Sequence, residues 1–330
     1  MIIEEKQGKN NVAEWWANRA QKLIEEQKIS WKLLGDNYEN MSQVQTRTLE
    51  FDDFEINIQF NPARIISSSA DVNKSAIQSR KCFLCTDNLP EKQNGLRYDK
   101  SFIILSNPYP IFEEHFTVIN KKHTEQTLIG HFDDFLNVSR DLGVYYSTFY
   151  NGPQCGASAP DHMHFQAGTK NITPIEQEID SLINSSKHFI LKSSKIEIRF
   201  IENRLRNFIL IESGNKGELL YAFKIYIKTA RKLSLPKEEP MMNLISSYKN
   251  EKWRIIIFPR TKHRPSQFYS DGKERLLISP AAIDMAGLLI VPRREDFEKT
   301  NADDIIDIYK QVGLTKEYFE YIKKKLSDVF

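Results

Sequence analysis

Cysteine is scarce. Cys82, Cys85 and Cys155 are the three in 330 residues, too few and too unevenly spaced for a secreted disulfide framework, so a reducing cytoplasm is the expected compartment. A dominant charge is missing as well. The 46 Lys and Arg are nearly balanced by 44 Asp and Glu, for a net +2. Such a chain has no global field to draw in nucleic acid or a membrane surface, and neither is expected as a partner. Long apolar runs are absent. Residues 102–105 and 286–291 fall far short of the roughly 20 needed to span a bilayer. The start, Met1-Ile2-Ile3-Glu4-Glu5-Lys6, is acidic where a secretory signal is positively charged, so no export signal is expected. With only thirteen Gly and thirteen Pro, the chain is neither collagen-like nor linker-dominated. What remains is a globular composition, 40% hydrophobic and 27% charged, long enough for two domains at roughly 150 residues each.

The hydrophobic pattern predicts mixed secondary structure. Trp15, Ala20, Leu23, Ile24, Ile29, Leu33 and Leu34 recur at helical spacing, giving two helices between 12 and 44. Phe54, Ile56, Ile58 and Phe60 alternate with polar residues and predict a strand over 51–60. Strands at 102–107 and 116–120 form an antiparallel pair, and a helix is expected over 132–149. Residues 151–160, rich in Gly, Pro and small side chains, predict a tight loop. An acidic helix follows from Thr173 to about Ser185, then strands at 196–201 and 208–211 and a helix through Leu219, Phe223 and Ile227. A hairpin at 244–248 and 253–258, a buried strand at 287–291 and helices over 303–326 complete the chain. Strand pairs followed by a helix in both parts suggest a diverged duplication.

Two constellations carry chemistry. His162, His164 and Gln166 occupy alternating positions, so on a strand they share a face. By themselves they fit a surface strand equally well. The Gly/Ser loop before them changes this, because such a turn offers backbone N–H groups and the Ser158 hydroxyl to phosphate oxygens. The second constellation, Cys82-Phe83-Leu84-Cys85, is half of a tetrahedral metal site or a pair of small buried hydrophobes.

Asn151 to Gln166, with Gly156, Ser158 and Pro160 leading into His-x-His-x-Gln, resembles the active-site signature of the transferase branch of the histidine-triad superfamily. That branch includes galactose-1-phosphate uridylyltransferases, diadenosine tetraphosphate phosphorylases and GDP-hexose phosphorylases. Asp161 stands as a one-residue insertion relative to the uridylyltransferase form. Asn61-Pro62-Ala63-Arg64, Asn107-Pro108-Tyr109-Pro110 and the stretch from Ser279-Pro280 to Glu298 are similar to parts of the GDP-hexose phosphorylases.

The resemblance implies an α+β fold of tandem histidine-triad-like (HIT-like) halves with antiparallel sheets flanked by helices. A catalytic half over 1–190, with a helical N-terminal segment, precedes a second half over 191–330. It makes His164 the nucleophile that forms a nucleotidyl-histidine, splitting one displacement into two. Gln166 in place of a third His donates hydrogen bonds and cannot act as a general acid, which favours transfer over hydrolysis. By the same resemblance Gly156 and Ser158 hold phosphate oxygens, Arg64 and Arg264 supply positive charge, and Asn61, Asn107 and Asn151 help bind substrate. Structural zinc is implied at Cys82, Cys85, His123 and His162, with His115 the competitor for His123. GDP-hexose phosphorylases generally lack the Cys pair, so the chain mixes features of two subfamilies.

The expected activity is therefore a nucleotidyltransferase or phosphorylase acting on a nucleoside diphosphate sugar, GDP-hexose first, with phosphate or a sugar 1-phosphate as acceptor. Diadenosine tetraphosphate phosphorolysis and a catalytically silent nucleotide-binding protein are the alternatives, and a homodimer is an option that the superfamily suggests. A redox role for Cys82 and Cys85 is the weakest reading.

Overall fold

The computed structural model describes residues 1–4, 12–184, 188–202, 205–233 and 238–330. Its strands are β1 (Ile2–Ile3), β2 (Gln45–Phe51), β3 (Phe54–Phe60), β4 (Gly95–Arg97), β5 (Phe102–Ser106), β6 (His115–Asn120) and β7 (Tyr146–Asn151). They continue with β8 (His164–Thr169), β9 (Phe189–Lys192), β10 (Glu197–Ile201), β11 (Phe208–Ser213), β12 (Met242–Lys249), β13 (Lys252–Pro259) and β14 (Leu288–Val291). Eleven of them form one sheet in the order β1-β4-β5-β6-β8-β7-β12-β13-β11-β10-β9, antiparallel except where β1 joins β4. The sheet runs unbroken across the middle of the chain, because β7 pairs with β12 from Asn151↔Asn243 to Thr148↔Ser246. This is the α+β architecture with a large antiparallel sheet flanked by helices.

Alternation along the strands divides the sheet into two faces. Phe116, Val118, Phe165, Tyr146 and Leu244 point into the larger core, covered by helices Val12–Ser30, Phe132–Leu142, Lys216–Ala230 and Lys316–Ser327. The other face carries Phe149, Ile245 and Ile256. Over it lie helices Pro174–Asn184 and Ala302–Val312 and the small sheet β14-β3-β2. Among the described residues no helix is long and apolar enough to cross a membrane.

Several expectations are corrected. The helix expected over 132–149 stops at Leu142, and the aromatic and β-branched run from Tyr146 becomes β7, buried on both faces at the centre of the sheet. The strand expected over 51–60 is a hairpin, β2 and β3, turning at Asp52-Asp53. The strand near 287–291 exists, but it leaves the C-terminal strands and pairs in parallel with β3, from Leu288↔Asn57 to Val291↔Phe60. The short strands β1, β4 and β9 lacked a pattern long enough to read. The predicted 244–258 hairpin is present, turned by Asn250 and Glu251 at φ of 51° and 60°. The expected helix end at Ser185 lies outside the described residues.

Candidate active site

β8 begins at His164, so His162 sits in the turn ahead of the strand rather than on it. The two imidazoles therefore serve different places. His162 is fully buried, and its Nε2 donates to the Asn120 carbonyl at 2.7 Å. Its Nδ1 lone pair then points at Cys82 Sγ, 3.3 Å away, with Cys85 Sγ at 3.7 Å. His123 Nδ1 lies 3.2 Å from Cys85 Sγ, and the four ligand atoms fall within 4.8 Å of one another. These residues could hold a metal ion. Burial, together with the neighbouring Cys82, pushes the Cys85 thiol up to about 11. His115, the competing ligand, lies elsewhere on the sheet.

His164 faces the other way. Its Nδ1 donates to the His162 carbonyl at 2.8 Å, which leaves the Nε2 lone pair free. Burial lowers its pKa to about 4, so the ring is neutral. Gln126 fixes the strand start: its Oε1 accepts from His164 N at 2.8 Å, while its Nε2 donates to the carbonyls of His164 and Asn151 at 3.0 and 2.9 Å. Gln166, two residues on, borders a small cleft of about 60 Å³ that Arg64, Asn151, Gly156, Ser158, Ser279 and Asp284 also line, while His164 itself is buried and lies outside that lining. That volume is room for roughly four to six waters, and hence for a phosphate-sized group.

The loop is shaped by contacts from the C-terminal part of the chain. Gly156 has φ +89°, and a Cβ there would lie 2.6 Å from the Ala281 Cβ. No other residue fits. Asn151 does not present its side-chain oxygen to the cleft, since Oδ1 accepts from Ala282 N at 2.7 Å and from Asn243 Nδ2 at 3.0 Å. Asn243 Nδ2 also reaches the Cys155 carbonyl at 2.7 Å. Arg260, buried, donates to Asn243 Oδ1 at 2.6 Å and to the Pro280 carbonyl at 2.9 Å. This polar chain locks the loop against residues 279–282.

Arg64 enters the cleft from the end of β3. Nη1 donates to the Tyr109 carbonyl at 2.8 Å, while buried Nε has no protein partner among the described residues. Burial lowers its pKa to about 10, and burial pushes Asp284 up to about 6 against the opposing pull of two backbone N–H groups and the Arg64 charge. Asn61 and Asn107 do not line the cleft. Asn61 Nδ2 donates to the Pro110 carbonyl, and Asn107 Oδ1 accepts from Tyr109 N. Both shape the 107–110 turn whose Tyr109 carbonyl seats Arg64. Arg264 also stands back, donating to Ser279 Oγ at 2.9 Å and stacking on Phe268 at 4.0 Å.

Sequence reasoning overlooked Gln126, Asn243, Arg260 and Asp284. The available signal was polar residues inside otherwise apolar strand or turn segments, which burial makes costly unless they are paired.

Residues 23–169 match the family model for a domain of unknown function, DUF4922, and residues 205–330 match that for the GDPGP1-like C-terminal domain. Among solved structures, yeast Ap4A phosphorylase Apa2 is 17% identical, with a TM-score of 0.56 over 86% of this chain and 96% of that one. The same enzyme in complex with Ap4A is 16% identical, with a TM-score of 0.56 over 90% and 97%. A uridylyltransferase mutant is 12% identical, with a TM-score of 0.42 over 76% and 94%. For Apa2, at these identities, the likeness is one of fold. No curated protein sequence matches the chain.

Proposed function

We propose that the chain belongs with the phosphorylase and transferase branch of the histidine-triad superfamily and transfers a nucleotidyl group through a covalent intermediate on His164. The observation that carries this reading is the pinned tautomer: His162's carbonyl holds Nδ1–H, so the neutral ring keeps the Nε2 lone pair available as the nucleophile. Attack on the α-phosphorus forms an N–P bond and expels the rest of the donor as a phosphorylated leaving group. The acceptor oxygen then displaces His164 and regenerates the free ring. Gln166, Ser158 and the Gly156 backbone bind the phosphoryl oxygens, and Arg64 adds charge where it builds in the transition state. Arg264, through Ser279, and Asn61, Asn107 and Asn151 support substrate by placing these groups.

A nucleoside diphosphate sugar, GDP-hexose first, is the favoured donor, with phosphate or sugar 1-phosphate as acceptor; the GDPGP1-like C-terminal match supports this choice. Ap4A phosphorolysis is the second reading, supported by the shared fold with Apa2. Residues 1–190 and 191–330 are taken as two histidine-triad-like halves, the first carrying the nucleophile.

We assign structural zinc to Cys82, Cys85, His123 and His162. A tetrahedral ion at about 2.3 Å from sulfur and 2.0–2.1 Å from nitrogen requires ligand atoms roughly 3.3–3.8 Å apart, close to the 3.3, 3.2 and 3.7 Å of the Cys82–His162, Cys85–His123 and Cys85–His162 pairs. Four protein ligands close the site, so the ion would supply rigidity and no chemistry. It would fasten the turn ahead of β8.

The test is intact-protein mass spectrometry after incubation with GDP-, UDP- and ADP-sugars and Ap4A without phosphate. Wild type is expected to gain one nucleoside monophosphate, and His164→Asn none. Bound nucleotide without an adduct from any donor would leave the silent binder as the better account.

A further inference from the structure

His115 is the conspicuous histidine that neither the nucleophile nor the metal cluster uses. It is fully buried, and its Nε2 lies 2.8 Å from Gln166 Oε1. The two residues sit diagonally across the β6–β8 ladder, where His115 pairs with Gly168 and Thr117 with Gln166. Gly168 creates the space: a Cβ there would meet the Phe112 ring at 2.3 Å. Phe112 stands edge-on to His115 with centroids 5.6 Å apart, and Phe149 lies 5.9 Å away on another side. The backbone is held too, since Tyr38 Oη accepts from His115 N at 3.2 Å and the His115 carbonyl accepts from Asn107 N at 2.8 Å. The imidazole thus has an aromatic box and one polar contact.

We infer that His115 is a positioning residue for Gln166: its Nε2–H holds the amide oxygen, so that both amide hydrogens of Gln166 face the cleft and the transferring phosphoryl group. The reverse orientation is disfavoured by chemistry. His115 Nδ1 is buried and has no partner among the described residues. If the amide donated to Nε2 instead, Nδ1 would have to carry an orphaned buried N–H, which is rarer and costlier than a bare acceptor. An amide that flips would present its oxygen to an anionic phosphoryl group half of the time. A phenyl ring at 115 would fill the same box without orienting the amide.

This inference rests on the nucleotidyl-transfer reading, and two measurements separate its failure from that of the reading. The first needs no substrate. In ¹⁵N-resolved spectra of the resting protein at pH 7, His115 is expected as the neutral Nε2–H tautomer, with the Gln166 side-chain amide shifted in His115→Phe. An Nδ1–H tautomer overturns the proposal. The second is the rate of nucleotidyl-His164 formation from GDP-glucose or Ap4A. His115→Phe is expected to slow this step about 10- to 100-fold, somewhat less than the loss of a whole oxyanion donor. His115→Gln, which restores an N–H near the Nε2 position, is expected to recover most of it. In a Gln166→Ala background, His115→Phe should have no further effect. An additive loss there would mean that His115 does not act through Gln166. Absence of any adduct in wild type would sink the transfer reading and leave the tautomer result to decide the position of the amide.

Discussion

Two neighbouring regions, the Cys/His cluster and the phosphate-sized cleft, share the five residues from His162 to Gln166 but treat them in opposite ways. In the cluster every imidazole nitrogen of His162 is committed, one to a backbone carbonyl and one towards thiols. In the cleft Arg64 is held in place through Nη1 but its Nε is left without a protein partner among the described residues. A group that completes its contacts within the protein stabilises the fold. One held rigid but incomplete reserves its hydrogen bond for a ligand, at some cost in stability. The boundary between the two regions is one peptide carbonyl, that of His162, which fixes the tautomer of His164.

The contrast can be broken first at the metal. Chelation or Cys82→Ser is expected to lower the melting temperature by roughly 10 °C, as several kcal/mol of ion binding are lost. His164→Asn should leave the melting temperature within about 2 °C while abolishing the adduct. Equal destabilisation by both, read by calorimetry alongside metal content, would erase the distinction between a structural and a catalytic histidine. A smaller effect is expected at the lock behind the loop. Asn243→Ala strands a donor of buried Arg260 and frees the loop, with a cost of about 3 kcal/mol in urea unfolding. It should also slow transfer, and an unchanged rate would mean that the loop holds its shape without the C-terminal contact.

A further effect, spread over several pH units, concerns pH. Burial, with the Arg64 charge adding to it, lowers His115 to about 3, against about 6.5 in the unfolded chain. Its folded pKa lies below the unfolded one, so its contribution to stability is present above pH 6.5 and lost as pH falls towards 3. The slope is at most about 1.4 kcal/mol per pH unit. Asp284, raised to about 6, works in the opposite sense: its contribution is lost as pH rises from about 4 through 6. His115→Phe should flatten the acid side of the stability profile and Asp284→Asn the slope between 4 and 6. Unfolding midpoints across pH 3–8 check both, and an unchanged acid slope in His115→Phe would place the proton uptake elsewhere.

Much of this site was legible in the chain because its chemistry is local. Cys82 and Cys85 are three apart and His162 to Gln166 span five residues, so ligand spacing and tautomer logic survive without a fold. The helices at 12–39 and the 242–259 hairpin were legible for the same reason, their periodicity being complete within one segment. Tyr146 to Asn151 was not, because a strand buried on both faces has no alternation to distinguish it from a helix. Asn61, Asn107 and Arg264 were read as direct binders, whereas they brace the groups that line the cleft.

By itself, then, the sequence put His162, His164 and Gln166 on alternating positions and offered the Cys82–Cys85 pair, since these depend on side-chain types at short separation, while the role of nucleophile was only what the resemblance implied. Only the tertiary structure decided that His123 joins the cysteines while His115 turns to Gln166, that β14 crosses to β3, and that residues 279–282 close the loop through Asn243 and Arg260. Those outcomes depend on sheet register and on burial created by segments from about 40 to over 200 residues apart. A hydrogen bond in such a place has its strength set by what excludes water around it, and no single stretch of chain contains that information.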